Sequence, residues 1–273
     1  MIKDIIKKYK QYIIAIILTL SILIILVNVF DVIKWYISNN ETYNQIDNIN
    51  NIADIKENDD KNAEIINNYN KDNDPYWKYI KMKLIDVNFD ELNKLNSDTK
   101  AWVQVSGTNI NYPVVKANNN DYYLNHSYNK SENEAGWVFF DYRNNIMDLN
   151  KNTIIYAHGR VDTTMFGSLK NILSSNWYSD LDNHIIRVST QNKNYLWQVF
   201  SVYRIKTTSD YLQIDFDNNN EYQSFLNTLA NRSAFKFNTS VNYNDKIITL
   251  STCYNDSDKV VMHAKLIKIQ NKS

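Results

Sequence analysis

From Ile13 to Phe30 the chain is almost continuously apolar, without a formal charge and interrupted only by Thr19, Ser21 and Asn28. With Val32 and Ile33 extending it beyond Asp31, a helix of this length roughly matches a ~30 Å hydrocarbon core at ~1.5 Å per residue. The pattern predicts a transmembrane signal anchor over residues 13–33. The run is longer than the ~7–15-residue apolar region of a cleaved signal peptide, and no A-x-A-like site follows it. Lys3, Lys7, Lys8 and Lys10 precede the span. The positive-inside rule therefore keeps residues 1–12 in the cytoplasm and sends everything after Lys34 outside the cell membrane.

The polar stretch after the span is rich in Asn, Asp, Glu and Lys and ends at Asp74-Pro75, where Tyr76, Trp77 and Tyr79 raise the aromatic content abruptly. This predicts a stalk over 34–75 and an extracytoplasmic domain over 76–273. Within the stalk Ile46, Ile49, Ile52 and Ile55 recur every third residue. That spacing is either a narrow helical stripe docking on the domain or a partner, or chance in an Ile/Asn-rich sequence.

Beyond Pro75 the apolar positions fall into short β-branched and aromatic runs separated by polar turns: 102–105, 110–115, 136–140, 153–157, 185–190, 195–203, 247–252 and 260–269. Eight such runs predict a mainly β domain, a closed or nearly closed barrel. Two segments break the rhythm. Residues 164–173 read as a short helix, and 220–231, with Tyr222, Phe225, Leu226 and Leu229 on one face, as a longer one.

Composition narrows the chemistry. Of 273 residues 44% are hydrophobic and 13% aromatic, enough for a real core. Thirty Lys and Arg balance thirty Asp and Glu, whereas a protein that neutralises nucleic-acid phosphates carries a basic excess. Nucleic acid is not expected as a partner. Four Gly and two Pro serve the whole chain, so its turns fall largely to Asn and Asp. No P-loop, dinucleotide glycine fingerprint or H-E-x-x-H motif occurs, and four histidines with one cysteine give no zinc-finger spacing.

That single cysteine, Cys253, closes the apolar run Ile247-Ile248-Thr249-Leu250-Ser251-Thr252 just before the polar segment Tyr254 to Asp258. A buried, inert thiol is the commoner fate of a free cysteine, but this one sits where the strand leaves the core. His158 occupies a matching place after Thr153-Ile154-Ile155-Tyr156-Ala157, and Gly159 behind it permits close approach of another backbone or a substrate. The alternative for His158 is a turn or cap histidine. His126, His184 and His263 lie in settings that suit structural roles. A thiol beside a cation or an imidazole becomes a nucleophile.

These blocks together resemble the sortase signature, class B. The match rests on Thr249-Leu250-Ser251-Thr252-Cys253 and Thr153-Ile154-Ile155-Tyr156-Ala157-His158. It extends to Asn120-Asp121-Tyr122-Tyr123-Leu124, Phe140-Asp141-Tyr142-Arg143-Asn144 and Met165-Phe166-Gly167-Ser168-Leu169, and spans roughly residues 76–268. The resemblance implies an eight-stranded sortase-type barrel, a helix between the sixth and seventh strands, and a Cys-His-Arg site in which Cys253 and His158 take the first two places. Where the family begins its last strand with Arg, in a block like R-x-V-V-x-A-K, this chain has Lys259-Val260-Val261-Met262-His263-Ala264-Lys265. Lysine keeps the charge and loses the rigid fork of donors.

The implied activity is cysteine transpeptidation. A C-terminal sorting signal of a secreted protein is cleaved after Thr through a thioacyl-enzyme, and the acyl group passes to a cell-wall precursor or pilin amine. No cofactor or metal is called for, and no clustered Asp/Glu loop marks the calcium site of some class A relatives. The Asn-rich, Gly-poor composition fits a low-GC Gram-positive genome. Two rivals stand beside this reading. One is a sortase-like barrel, impaired by Lys259, that only binds surface proteins or peptidoglycan. The other is a papain-like Cys-His hydrolase, disfavoured because there the cysteine precedes the histidine.

Overall fold

The structure, a computed structural model, describes residues 2–66 and 76–272. The Asp74-Pro75 boundary expected from composition lies outside the described residues. Helix α1 runs over Ile2–Ile52. It is long and apolar enough to cross a membrane, and its most apolar window has none of its surface buried. Compact packing divides the chain into residues 1–44 and residues 45–273.

Eight strands close into a barrel: β1 Thr99–Val105, β2 Asn111–Val115, β3 Phe139–Phe140, β4 Asn152–Tyr156, β5 Ile185–Thr190, β6 Lys193–Lys206, β7 Ile247–Cys253 and β8 Asp258–Asn271. Around the ring the order is β1-β2-β3-β4-β7-β8-β6-β5, returning to β1. Each of the eight runs expected from the sequence is one of these strands. β2 and β3 are parallel, as are β4 and β7, and the remaining neighbours are antiparallel. Register shifts after His263 and after Leu266 on β8 bend that 14-residue strand.

The strands are apolar on both faces because both are covered. On β8, Val260, Met262 and Ala264 join the main core with Ile155, Val202, Ile248 and Leu250. Val261 between them faces the other way. It packs with Phe200, Tyr203, Tyr211 and Ile247 against Tyr222, Leu226 and Leu229 of helix α2, Asn219–Asn231. Asn218 caps α2, its side chain accepting from Glu221 N at 3.0 Å. Burying each of the three α2 side chains contributes roughly 1.5–3 kcal/mol. The helix expected over 164–173 is a 3₁₀ helix over Gly167–Leu173. Thr163 and Met165 have φ of 67° and 52°, outside helical geometry, so the regular part starts later.

The segment expected as a stalk is in large part built into the barrel domain. Ile49 and Ala53 are core residues, with Ile46, Ile52 and Ile55 packed beside them. Ile46, Ile49 and Ile52 are a docked helical stripe, and Ile55 packs beside them just past the end of the helix. Glu64–Ile65 adds a short strand to β8, and Lys56–Asn58 pairs with Leu84–Asp86. The Lys268 ammonium, only 3% exposed, is satisfied by Asp60 at 2.6 Å and by the carbonyls of Ile80 and Met82.

Candidate active site

Parallel pairing of β4 with β7 matches Tyr156 to Ser251. Two residues beyond that pair stand His158, just past the end of β4, and Cys253, the last residue of β7, so one register delivers both to the same end of the barrel. The link between the strand ends is tight. Thr252 Oγ1 donates to the Ala157 carbonyl at 2.8 Å, and a Cβ built at Gly159 would lie 2.0 Å from the Cys253 carbonyl oxygen. Only glycine permits this approach.

Cys253 is a half-buried free thiol. Across the β7–β8 hairpin its partner is Lys259, whose Nζ donates to Cys253 Sγ at 3.0 Å. The turn is closed by Tyr254 N donating to Asp258 O at 2.8 Å. The nearest arginine on the adjoining strand is differently placed. Arg204 pairs with Val260, one residue beyond Lys259, and successive residues on a strand face opposite sides. Its Nε donates to Asp258 at 2.6 Å and its guanidinium lies 3.9 Å from the Tyr254 ring centroid. Lys206 and Arg204 together hold the Asp258 carboxyl down to about 2. The cation at the sulfur is therefore an ammonium.

His158 Nε2 lies 2.6 Å from the Leu124 carbonyl. A carbonyl only accepts, so Nε2 carries the proton in this arrangement and Nδ1 is left to exchange one. The other three histidines are bound elsewhere. His126 stacks on Tyr122, His184 is buried beside Tyr79 and Tyr178, and His263 is fully buried between Tyr203 and Thr249. Burial, with Arg232 adding to it, pushes His263 down to about 3.

Asp141, which the sequence places in a matched block but not among the candidate site residues, is fully buried just past the end of β3. It accepts from Arg143 Nε and from Arg143 Nη2, both at 2.8 Å, from the Tyr156 hydroxyl at 2.9 Å and from Asn120 Nδ2 at 3.1 Å. Arg143 Nη2 also donates to the Leu212 carbonyl at 3.0 Å, while Asn152 Nδ2 donates to the carbonyls of Tyr211 and Gln213 at 3.2 and 2.9 Å. The Tyr211 hydroxyl in turn meets Ser251 Oγ at 3.0 Å. Asp141 thus joins the 120–124 loop, the tip of β4 and the segment after β6. Burial pushes its carboxyl upward, but the Arg143 and Tyr156 hydrogen bonds outweigh that and hold it below the usual carboxylate range. Its close spacing to Arg143 is visible in sequence; its distant partners are not.

The Sortase domain family model matches residues 103–267. The chain belongs to the sortase family. Sortase B of Staphylococcus aureus is 37% identical over 185 residues, covering 66% of this chain and 75% of that protein. A Staphylococcus aureus sortase B–substrate complex has 37% identity and a TM-score of 0.62, covering 66% of this chain and 84% of its own. A sortase B complexed with triglycine has 35% identity and a TM-score of 0.62, covering 68% and 86%. The barrel is thus that of a class B sortase, a family of transpeptidases, and Lys259, Cys253 and His158 all lie inside the matched span.

Proposed function

We propose that this sortase is an active cysteine transpeptidase whose nucleophile is Cys253, with His158 as acid and base and Lys259 as the cation beside the sulfur. The observation that carries this reading is the 3.0 Å contact between Lys259 Nζ and Cys253 Sγ at the strand end that adjoins His158. A neighbouring ammonium favours thiolate over thiol. The thiolate attacks the Thr carbonyl of a sorting signal. Lys259 and a backbone N–H near Cys253 stabilise the oxyanion. Charged His158 then gives a proton to the departing amine, and neutral His158 takes one from the incoming amine in the second half-reaction. With Nε2–H held by the Leu124 carbonyl, Nδ1 performs that exchange.

The substrates are secreted proteins with a C-terminal sorting signal, a reading supported by the substrate complex of the Staphylococcus aureus relative. The acceptor is a cell-wall precursor or pilin amine. The relative bound to triglycine fits an acceptor of that class, because this peptide presents a primary amine. The apolar span of α1 anchors the chain in the cell membrane, with residues 1–12 cytoplasmic and the barrel outside.

The test is cleavage of a pool of labelled Thr-containing peptides by the full-length protein in detergent. Turnover is expected in the wild type and lost in Cys253→Ala. Unchanged cleavage by Cys253→Ala contradicts the proposal, and peptide binding without turnover in the wild type marks a barrel that only holds its ligand.

A further inference from the structure

The geometry points to a second fate for the acyl group: when no acceptor amine arrives, we propose that Lys259 takes it from Cys253, and the enzyme keeps its own substrate as an amide on Lys259 Nζ. This rests on the thioacyl reading above and goes beyond it. Lys259 and Cys253 are direct cross-strand partners on a hairpin, with Nζ 3.0 Å from Sγ. The carbonyl carbon of a thioacyl group is one bond from that sulfur. The amine therefore stands within about a bond length of the ~3–3.5 Å separation of a near-attack pair.

The residue type decides whether this proximity matters. The implied family arginine is always charged and does not act as a nucleophile, whereas a lysine amine does once it gives up a proton. Before acylation Lys259 Nζ donates to the free Cys253 sulfur. After acylation that acceptor is spent and the same nitrogen faces a neutral thioester. Primary amines are also the acceptors proposed for the second half-reaction, so Lys259 is an acceptor of the same chemical class fixed inside the site.

The step balances without a co-reactant. The ammonium releases a proton to solvent or to neutral His158, and the neutral nitrogen attacks the thioester carbon. The C–S bond breaks as the C–N bond forms, and the departing sulfur takes up the second nitrogen proton. Thioester and ammonium become amide, thiol and one released proton. Nothing is oxidised or reduced. The product has a free Cys253 thiol but no charge at position 259, so each such event disables one enzyme molecule, and an external amine protects by competing.

Lys170 supplies an internal comparison, because its Nζ is committed to the Gly159 carbonyl at 3.4 Å and to the Tyr254 ring at 5.6 Å. The experiment treats the full-length protein in detergent with N-acetyl-threonine phenyl thioester, which acylates a reactive thiol by exchange and needs no sorting-signal recognition. Neutral hydroxylamine then removes thioesters and spares amides, and mass spectrometry maps what remains. The expected result is a hydroxylamine-resistant acyl group on Lys259, at least about tenfold more than on Lys170, as proximity at a fixed site demands. It is absent in Cys253→Ala and reduced when triglycine is added. Acylation that is confined to Cys253 and fully removed by hydroxylamine overturns the inference and leaves the transpeptidase reading standing. An equal Lys259 amide in Cys253→Ala also overturns it. No acylation of either residue overturns both.

Discussion

Lys259 reaches the sulfur because it is the cross-strand partner of Cys253. An ammonium supplies charge at a point, while a guanidinium supplies charge and a fork. Lys259→Ala is therefore expected to lower transpeptidation by roughly 10²–10³-fold, the loss typical of an oxyanion-stabilising donor, and Lys259→Arg by far less. Equal initial rates in all three proteins remove Lys259 from the mechanism. A different residue contributes to acid sensitivity. His263 is neutral in the fold because burial holds it at about 3, whereas an unfolded histidine titrates near 6.5. Above pH 6.5 its contribution is complete. As pH falls from about 6.5 toward about 3 the unfolded chain binds a proton that the folded one refuses, costing at most about 1.4 kcal/mol per pH unit. His184, also lowered by burial, adds in the same direction. Denaturant unfolding of His263→Asn is expected to be less pH-dependent over that window than the wild type, and identical slopes contradict the assignment. Cys253 and His158 were legible as candidates because each ends an apolar strand. The role of Asp141 was not, because a buried carboxylate is explained only by partners such as Asn120 and Tyr156 that the fold brings from elsewhere in the chain.

At the scale of elements, the eight strands were legible because β-branched and aromatic runs alternate with Asn- and Asp-rich turns. Their ends were less so: β6 begins at Lys193 and ends at Lys206, since polar residues at a barrel rim continue the ladder while their side chains reach water. Lys56–Asn58 and Glu64–Ile65 were invisible, being two or three residues long and polar. They form because neighbouring strand edges offer hydrogen bonds. The docking of Ile46, Ile49, Ile52 and Ile55 was one of two open readings of their spacing, and the core that receives them decides it. A chain begun at Tyr76 lacks this stripe, the Glu64–Ile65 pairing and the Asp60 partner of buried Lys268. It is expected to melt well below a chain begun at Gln45, because losing the partner of a buried charge alone costs about 3–5 kcal/mol. Equal melting temperatures contradict the docking.

For the whole molecule, the proposed orientation places the helix that is long and apolar enough to cross a membrane in the cell membrane and the sortase barrel at its outer face. In right-side-out membrane vesicles, an impermeant maleimide is expected to label Cys253, the only cysteine, without permeabilisation. Labelling only after lysis contradicts the proposed orientation. The central claim is that the thiol at the end of β7 forms a thioacyl-enzyme and passes the acyl group to an amine. Its most direct measurement is product analysis by mass spectrometry after the full-length protein meets the labelled Thr-peptide pool with and without triglycine. The account predicts an acyl adduct on Cys253 that triglycine discharges as a peptide–triglycine amide, absent in Cys253→Ala. Hydrolysed peptide alone at every triglycine concentration, or the same amide from Cys253→Ala, contradicts it.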